Sequence, residues 1–175
     1  MTNDVQPVPN AFLEAVGRVT VQGAQLDARL HTLLGNLALD PVLLRRANGA
    51  STGQLINFCD LALKNGTLEQ GEIAEVKAAL ARADALRERR NAVVHSIHLR
   101  FESSEVLKQL KAARRTLGYN STTITVEEME ALAVEMQELG VELFRVGWNA
   151  GPAKAPGMDR IPPQLPGGDT PSAQA

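Results

Sequence analysis

Apolar residues recur along the chain in long stretches with helical spacing. Phe12, Val16, Val19, Gly23, Leu26, Leu30, Leu33 and Leu37 follow a strict alternation of four and three. That repeat keeps one face of a helix apolar over about Asn10 to Leu39, and Gly23 within it permits a close approach by a neighbour. Asp40-Pro41 ends the helix, Val42 to Ala47 forms a short helical piece, and Asn48-Gly49 turns the chain. Ser51 followed by Gln54 is a capping-box pattern that opens a helix through Leu55, Ile56, Cys59 and Ala62, which stops at Asn65-Gly66. Thr67 and Gln70 repeat the pattern and open a longer helix from Leu68 to about Ile97. A third capping pair, Thr125 and Glu128, precedes a four-three repeat of Met129, Leu132, Met136, Leu139, Leu143 and Val146.

Between the last two helices the period changes. Ile97 to Glu102 alternates like a short strand, and Thr122 to Val126 is a second β-branched run. Val106 to Leu117 reads equally as a basic helix or as part of an irregular hairpin. From Ala150 the composition turns to Pro, Gly, Ala and Ser, and six of the nine prolines lie there. The pattern predicts a flexible lead over residues 1–9, one all-α domain over 10–149 and a disordered tail over 150–175. The domain is expected to be an antiparallel helical bundle with a short β-hairpin or irregular insertion before its last helix.

One residue breaks the pattern. In the long middle helix the apolar stripe runs through Ile73, Val76, Leu80, Ala83 and Leu86, and resumes at Val93, Val94 and Ile97. The next apolar position after Leu86 is 90, and Arg90 occupies it. A packing helix does not place a permanent charge on its buried stripe without a partner or a task. Asn91 lies about 100° round the helix from Arg90 and His95 about 140°. The seam residue, its edge and its flank are therefore three different polar groups, suited to a cleft between helices.

Composition narrows the partners. Aromatic residues are 3% of the chain, too few for a stacking platform for single-stranded nucleic acid. The net charge of -2 carries no overall basic signature of a duplex binder. Locally the charge is uneven. Lys77 to Arg115 holds ten Lys or Arg against four acids, and Thr116 to Asn149 holds six Glu and one Arg. A solvated basic face beside an acidic helix accounts for this, as does an anion-binding patch around Arg90. The single Cys59 excludes an internal disulfide and a cysteine metal cluster, and its apolar surroundings make it a core residue. No apolar run approaches membrane-spanning length and no basic-then-apolar signal opens the chain, so no membrane partner and a cytoplasmic location are expected.

Familiar catalytic patterns are absent. The chain has no glycine-rich phosphate loop, no His-Glu-x-x-His, no Gly-x-Ser-x-Gly and no calcium loop. Of the histidines 31, 95 and 98, the last two are three apart, but no carboxylate stands one turn from both, and neither a metal nor a cofactor is expected. Asp27 and His31 form an i, i+4 pair. Asp27 is also a candidate partner for Arg90, an ion pair that would hold the bundle in register.

Arg90-Asn91-x-x-x-His95 resembles the R-x(4–6)-H motif of the HEPN superfamily in its Arg-Asn-x-x-x-His form, near the C-terminal end of a long helix. The resemblance implies a HEPN-type bundle over residues 10–149 that dimerises so that two motifs line one cleft. It implies a metal-independent endoribonuclease, a toxin or antiviral effector with an antitoxin as partner, or a relative without catalysis that binds a nucleotide, RNA or protein. In the first case Arg90, Asn91 and His95 are the catalytic residues, and Arg87 and Arg89 bind substrate. Histidine is the residue type whose unperturbed pKa lies nearest neutrality, which suits position 95 to acid–base work on the 2′-hydroxyl. Arg90 grips phosphate oxygens, Asn91 orients the histidine or the phosphate, and Arg87 and Arg89 attract the RNA backbone. A second protomer would supply the second acid–base histidine.

Overall fold

The computed structural model describes residues 9–38, 40–66, 68–99, 107–112, 118–150 and 159–163. Among them are five helices, α1 (Asn10–Leu37), α2 (Pro41–Ala47), α3 (Thr52–Asn65), α4 (Gln70–Val94) and α5 (Val126–Ala150). Three strands, β1 (Ile97–Leu99), β2 (Leu107–Ala112) and β3 (Tyr119–Ile124), form one antiparallel sheet in the order β1-β2-β3.

The helical stripes become the core. Phe12, Val19, Leu26, Leu30 and Leu33 of α1 are buried against Met129, Leu132, Met136, Leu139, Leu143 and Val146 of α5, with α3 and α4 closing the other sides. Cys59 is fully buried; its thiol points at the Leu30 carbonyl, 3.8 Å away, and is pushed up to about 12 by burial and secondarily by Asp60. Gly147 lets α5 press against α1: a Cβ there would sit 3.2 Å from Asn36 Nδ2 and 3.3 Å from Leu33 Cδ1.

Helix directions follow from the contacts. Along α1 and α5, Arg18 meets Glu130, Arg29 lies against Gly140 and Leu33 against Gly147, so the two run parallel. α4 opposes both, since Gly23 meets Arg90 while Arg89 meets Glu135 and Glu75 meets Arg145. α3 starts beside Asp27, passes Cys59 under Leu30 and so ascends with α1. The bundle is therefore antiparallel only for α4 against its neighbours. The short α2 is the cause: it turns the chain back, so α3 restarts alongside the middle of α1.

The ends also shift from the pattern. α1 stops at Leu37, two residues early, where Ala38 is extended and its N–H donates to the Leu34 carbonyl at 2.8 Å. α4 starts at Gln70 rather than Leu68, with the Glu72 carboxylate accepting from the Glu69 N–H at 3.3 Å; Thr67 lies outside the described residues. Its last residue is Val94, so Ile97 belongs to β1 and is 53% exposed instead of extending the stripe. The ambiguous stretch from Val106 contains β2, not a helix, and residues 106 and 113–117 lie outside the description, as do 100–102 of the first alternating run. The capping pairs at Ser51–Gln54 and Thr125–Glu128 form as the sequence predicts, with the Thr125 N–H donating to Glu128 at 2.8 Å. Of the expected lead and tail, residues 1–8, 151–158 and 164–175 lie outside the description, whereas Asp159 to Pro163 lie against the bundle.

Candidate functional site

The break in the apolar stripe sits where α4 crosses α1 and the start of α3. Arg90 lies across Gly23, and a Cβ on that glycine would come within 3.2 Å of its Nε and 3.4 Å of its Cγ and Cδ. Gly23 therefore makes room for an arginine stem rather than for a helix backbone. At its tip, Nη2 donates to Thr52 Oγ1 at 2.9 Å and lies 3.6 Å from Asp27 Oδ2. Thr52 in turn donates its hydroxyl proton to Asp27 Oδ1 at 2.6 Å. Three helices are pinned together by this triangle, and Asp27 turns to Arg90 and Thr52 rather than to His31. Thr52 carries no sequence signal for this role, because only the tertiary fold brings the first turn of α3 beside Asp27.

Arg145 of α5 shows what a wholly structural arginine looks like in the same bundle. Its side chain is 7% exposed, against 20% for Arg90. Nε donates to Glu142 at 2.9 Å, and Nη2 donates to Glu142 at 2.7 Å and to Glu75 at 2.8 Å. The Arg145 hydrogen bond holds the Glu142 carboxyl below the usual carboxylate range. Arg145 grips one carboxylate with two nitrogens and a second carboxylate besides. Arg90 is held through Nη2 alone, and among the described residues Nη1 has no partner. A planar guanidinium held by one corner still offers donors to a further acceptor.

The other motif residues follow along the last turns of α4. Asn91 is half-buried, and its carbonyl accepts from the His95 N–H at 3.1 Å. His95 is the C-cap of α4 and is exposed, and its ring has no hydrogen-bond partner among the described residues. The capping of the helix end falls to the sheet instead. His98 Nε2 donates to the Val93 carbonyl at 2.8 Å, and the buried Gln109 of β2 donates through Nε2 to the Ala92 carbonyl. Thr122 of β3 donates to Gln109 Oε1 at 3.1 Å, and the His98 ring packs edge-on against Phe12 at 4.9 Å. His98 is thus a strand residue bound into the fold, its Nδ1 buried and without a partner among the described residues. Gln109 was invisible as a cap because its stretch has no clear period.

The two further arginines separate. Arg87 joins the Arg90 side, stacked over Gly53 of α3, with its guanidinium on Asp84 at 2.8 Å and Glu88 at 3.5 Å. Arg89 faces the opposite way and pairs with Glu135 of α5. Arg90, Asn91, His95 and Arg87 are brought to one end of α4, and Arg89 is not part of that group. Among the described residues no three His, Cys, Asp or Glu side chains cluster as metal ligands, and no helix is long and apolar enough to cross a membrane. No protein-family model matches the chain, and no curated protein or solved structure matches it.

Proposed function

We propose that the chain is a HEPN-type endoribonuclease that cleaves RNA without a metal, acting as a toxin or antiviral effector. The observation that carries this reading is the exposed His95 ring at the C-cap of α4, without a hydrogen-bond partner among the described residues and just beyond an arginine anchored by a single nitrogen. In this reading His95 takes the proton of an RNA 2′-hydroxyl and the 2′-oxygen attacks the adjacent phosphorus. The bond from phosphorus to the 5′-oxygen breaks, leaving a 2′,3′-cyclic phosphate and a 5′-hydroxyl. The leaving oxygen takes its proton from the second His95 of a homodimer whose two motifs share a cleft. Arg90 stabilises the charge that builds on the phosphorane, and the anchoring by Asp27 and Thr52 fixes its position before the reaction. Arg87 draws the RNA backbone to the same end of α4.

The Arg90–Asp27 pair favours a second reading, a noncatalytic helical module for a nucleotide, RNA or protein, because an arginine that holds three helices in register has a structural task without catalysis. Cleavage of total or transfer RNA in EDTA separates the two. The wild type should cleave, and Arg90→Ala and His95→Ala should not. Equal activity in all three proteins, or none in any, removes the catalytic reading. In cells, growth arrest on induction should need His95, and co-expression of an antitoxin should relieve it.

A further inference from the structure

The end of α5 and the start of α4 lie side by side, and Asp159 to Pro163 lie across the notch between Asn149, Trp148 and Glu72. Asn149, 3% exposed, donates through Nδ2 to the Ile161 carbonyl at 2.9 Å and accepts from the Ile161 N–H at Oδ1, also at 2.9 Å. One buried carboxamide thereby takes both main-chain polar groups of one residue, as an adjacent antiparallel strand does. Glu72, 7% exposed, lies 3.5 Å from the Arg160 guanidinium, and Trp148 Nε1 donates to the Asp159 carbonyl at 3.4 Å. The notch reads backbone at one position and a positive charge at the position before it.

The occupant suits such a site. A residue before proline is biased towards extended backbone, which turns the N–H and C=O of Ile161 to the same side. Pro162 and Pro163 bring no N–H that would need a partner and stiffen the segment, which lowers the cost of ordering it. With the strap away, the Asn149 carboxamide would exchange both main-chain partners for water or for the backbone of another extended peptide. We propose that this notch is a binding site for extended peptides carrying a basic residue two positions before a proline, filled in cis by the chain's own Arg160-Ile161-Pro162. Peptides of that chemistry enter by displacing the strap. The inference is independent of the ribonuclease reading.

The test uses the full chain and a labelled synthetic peptide of residues 157–165, with binding followed by fluorescence anisotropy. A tethered segment competes at an effective concentration on the order of 1 mM. In the Arg160→Glu chain a carboxylate faces Glu72 and the strap is released. That chain should bind the peptide about tenfold more tightly than the wild type, and the emission of Trp148, the only tryptophan, should shift. A peptide carrying the same Arg160→Glu change should bind neither chain. Adding Asn149→Ala to the Arg160→Glu chain should weaken binding of the original peptide about tenfold. Should that double variant unfold, Glu72→Gln replaces Asn149→Ala, since it can still accept from the Glu69 N–H, and weaker binding is again expected. The proposal is overturned if the folded Arg160→Glu chain binds no peptide, if it binds both peptides equally, or if its affinity and Trp148 emission match the wild type.

Discussion

Replacing Asp27 by Asn and Arg90 by Met, singly and together, measures how firmly the candidate site is anchored. Met keeps the apolar stem across Gly23 and removes the guanidinium, with its charge and its hydrogen bond to Thr52. At 3.6 Å the unscreened attraction is about 4–5 kcal/mol for an effective dielectric constant near 20, and about 1 kcal/mol in bulk water. Arg90 is 20% exposed and Asp27 36%, so the pair lies between these limits and also pays for partial desolvation. Thr52 adds a bridging hydroxyl with hydrogen bonds of 2.6 and 2.9 Å to the two charged groups. The coupling energy expected from the cycle is about 1–2 kcal/mol, above the range of exposed surface pairs. Urea denaturation followed by circular dichroism gives the four stabilities, with m expected to stay constant. Repeating the cycle in 1 M NaCl should leave more than half the coupling, because a partly buried pair is screened less than an exposed one. A coupling below about 0.3 kcal/mol, or one that vanishes in salt, would show that Arg90 is a solvated surface charge and refute the anchoring.

Other parts of the bundle give sharper contrasts. Arg145→Gln removes a nearly buried cation from two carboxylates and should cost about 2–3 kcal/mol by the same denaturation assay. The Glu142 carboxyl is held low by that arginine, so its contribution to stability is present above the ordinary carboxylate pKa and is lost as pH falls through the lower folded value. The wild type should therefore lose stability below about pH 4, with a shallower loss in Arg145→Gln. Cys59 should react with a disulfide reagent at pH 8 only at the rate of unfolding, because burial pushes its thiol up to about 12; fast stoichiometric labelling of the native protein would contradict its burial. Gly23→Ala gains about 1 kcal/mol of helix propensity but puts a methyl 3.2 Å from Arg90 Nε, so melting should change little while the Arg90–Asp27 coupling falls.

The seams of α1 and α5 were legible because one face of each meets mostly apolar neighbours, so Phe12, Leu26, Leu30, Met136 and Leu143 carry the period. Arg90 was legible as an exception to such a seam, and Asp27 as a candidate partner from charge alone. Thr52 was not, because its role depends on how α2 returns the chain so that α3 starts beside Asp27. For the same reason the parallel course of α1 and α5 could not be read: periodicity fixes which face is buried, not which way the neighbour points. The end of α4 was misjudged by three residues because Ile97 fits the helical stripe as well as it fits a strand, and pairing of Ile97 with Leu110 decides for the strand. Asp159 to Pro163 have the composition of a tail, and it is the buried Asn149 at the end of α5, with Trp148 and Glu72, that gives the segment a place to dock.

The central claim, that His95 moves protons at an RNA 2′-hydroxyl beside an anchored Arg90, is tested most directly by one rate ratio. A defined RNA is incubated in EDTA with wild type and with His95→Ala of equal melting temperature, and the product ends are identified. The account predicts 2′,3′-cyclic phosphate and 5′-hydroxyl ends from the wild type, with His95→Ala slower by a factor of about 100 or more. Equal rates for the two proteins, or no cleavage by either, would contradict it.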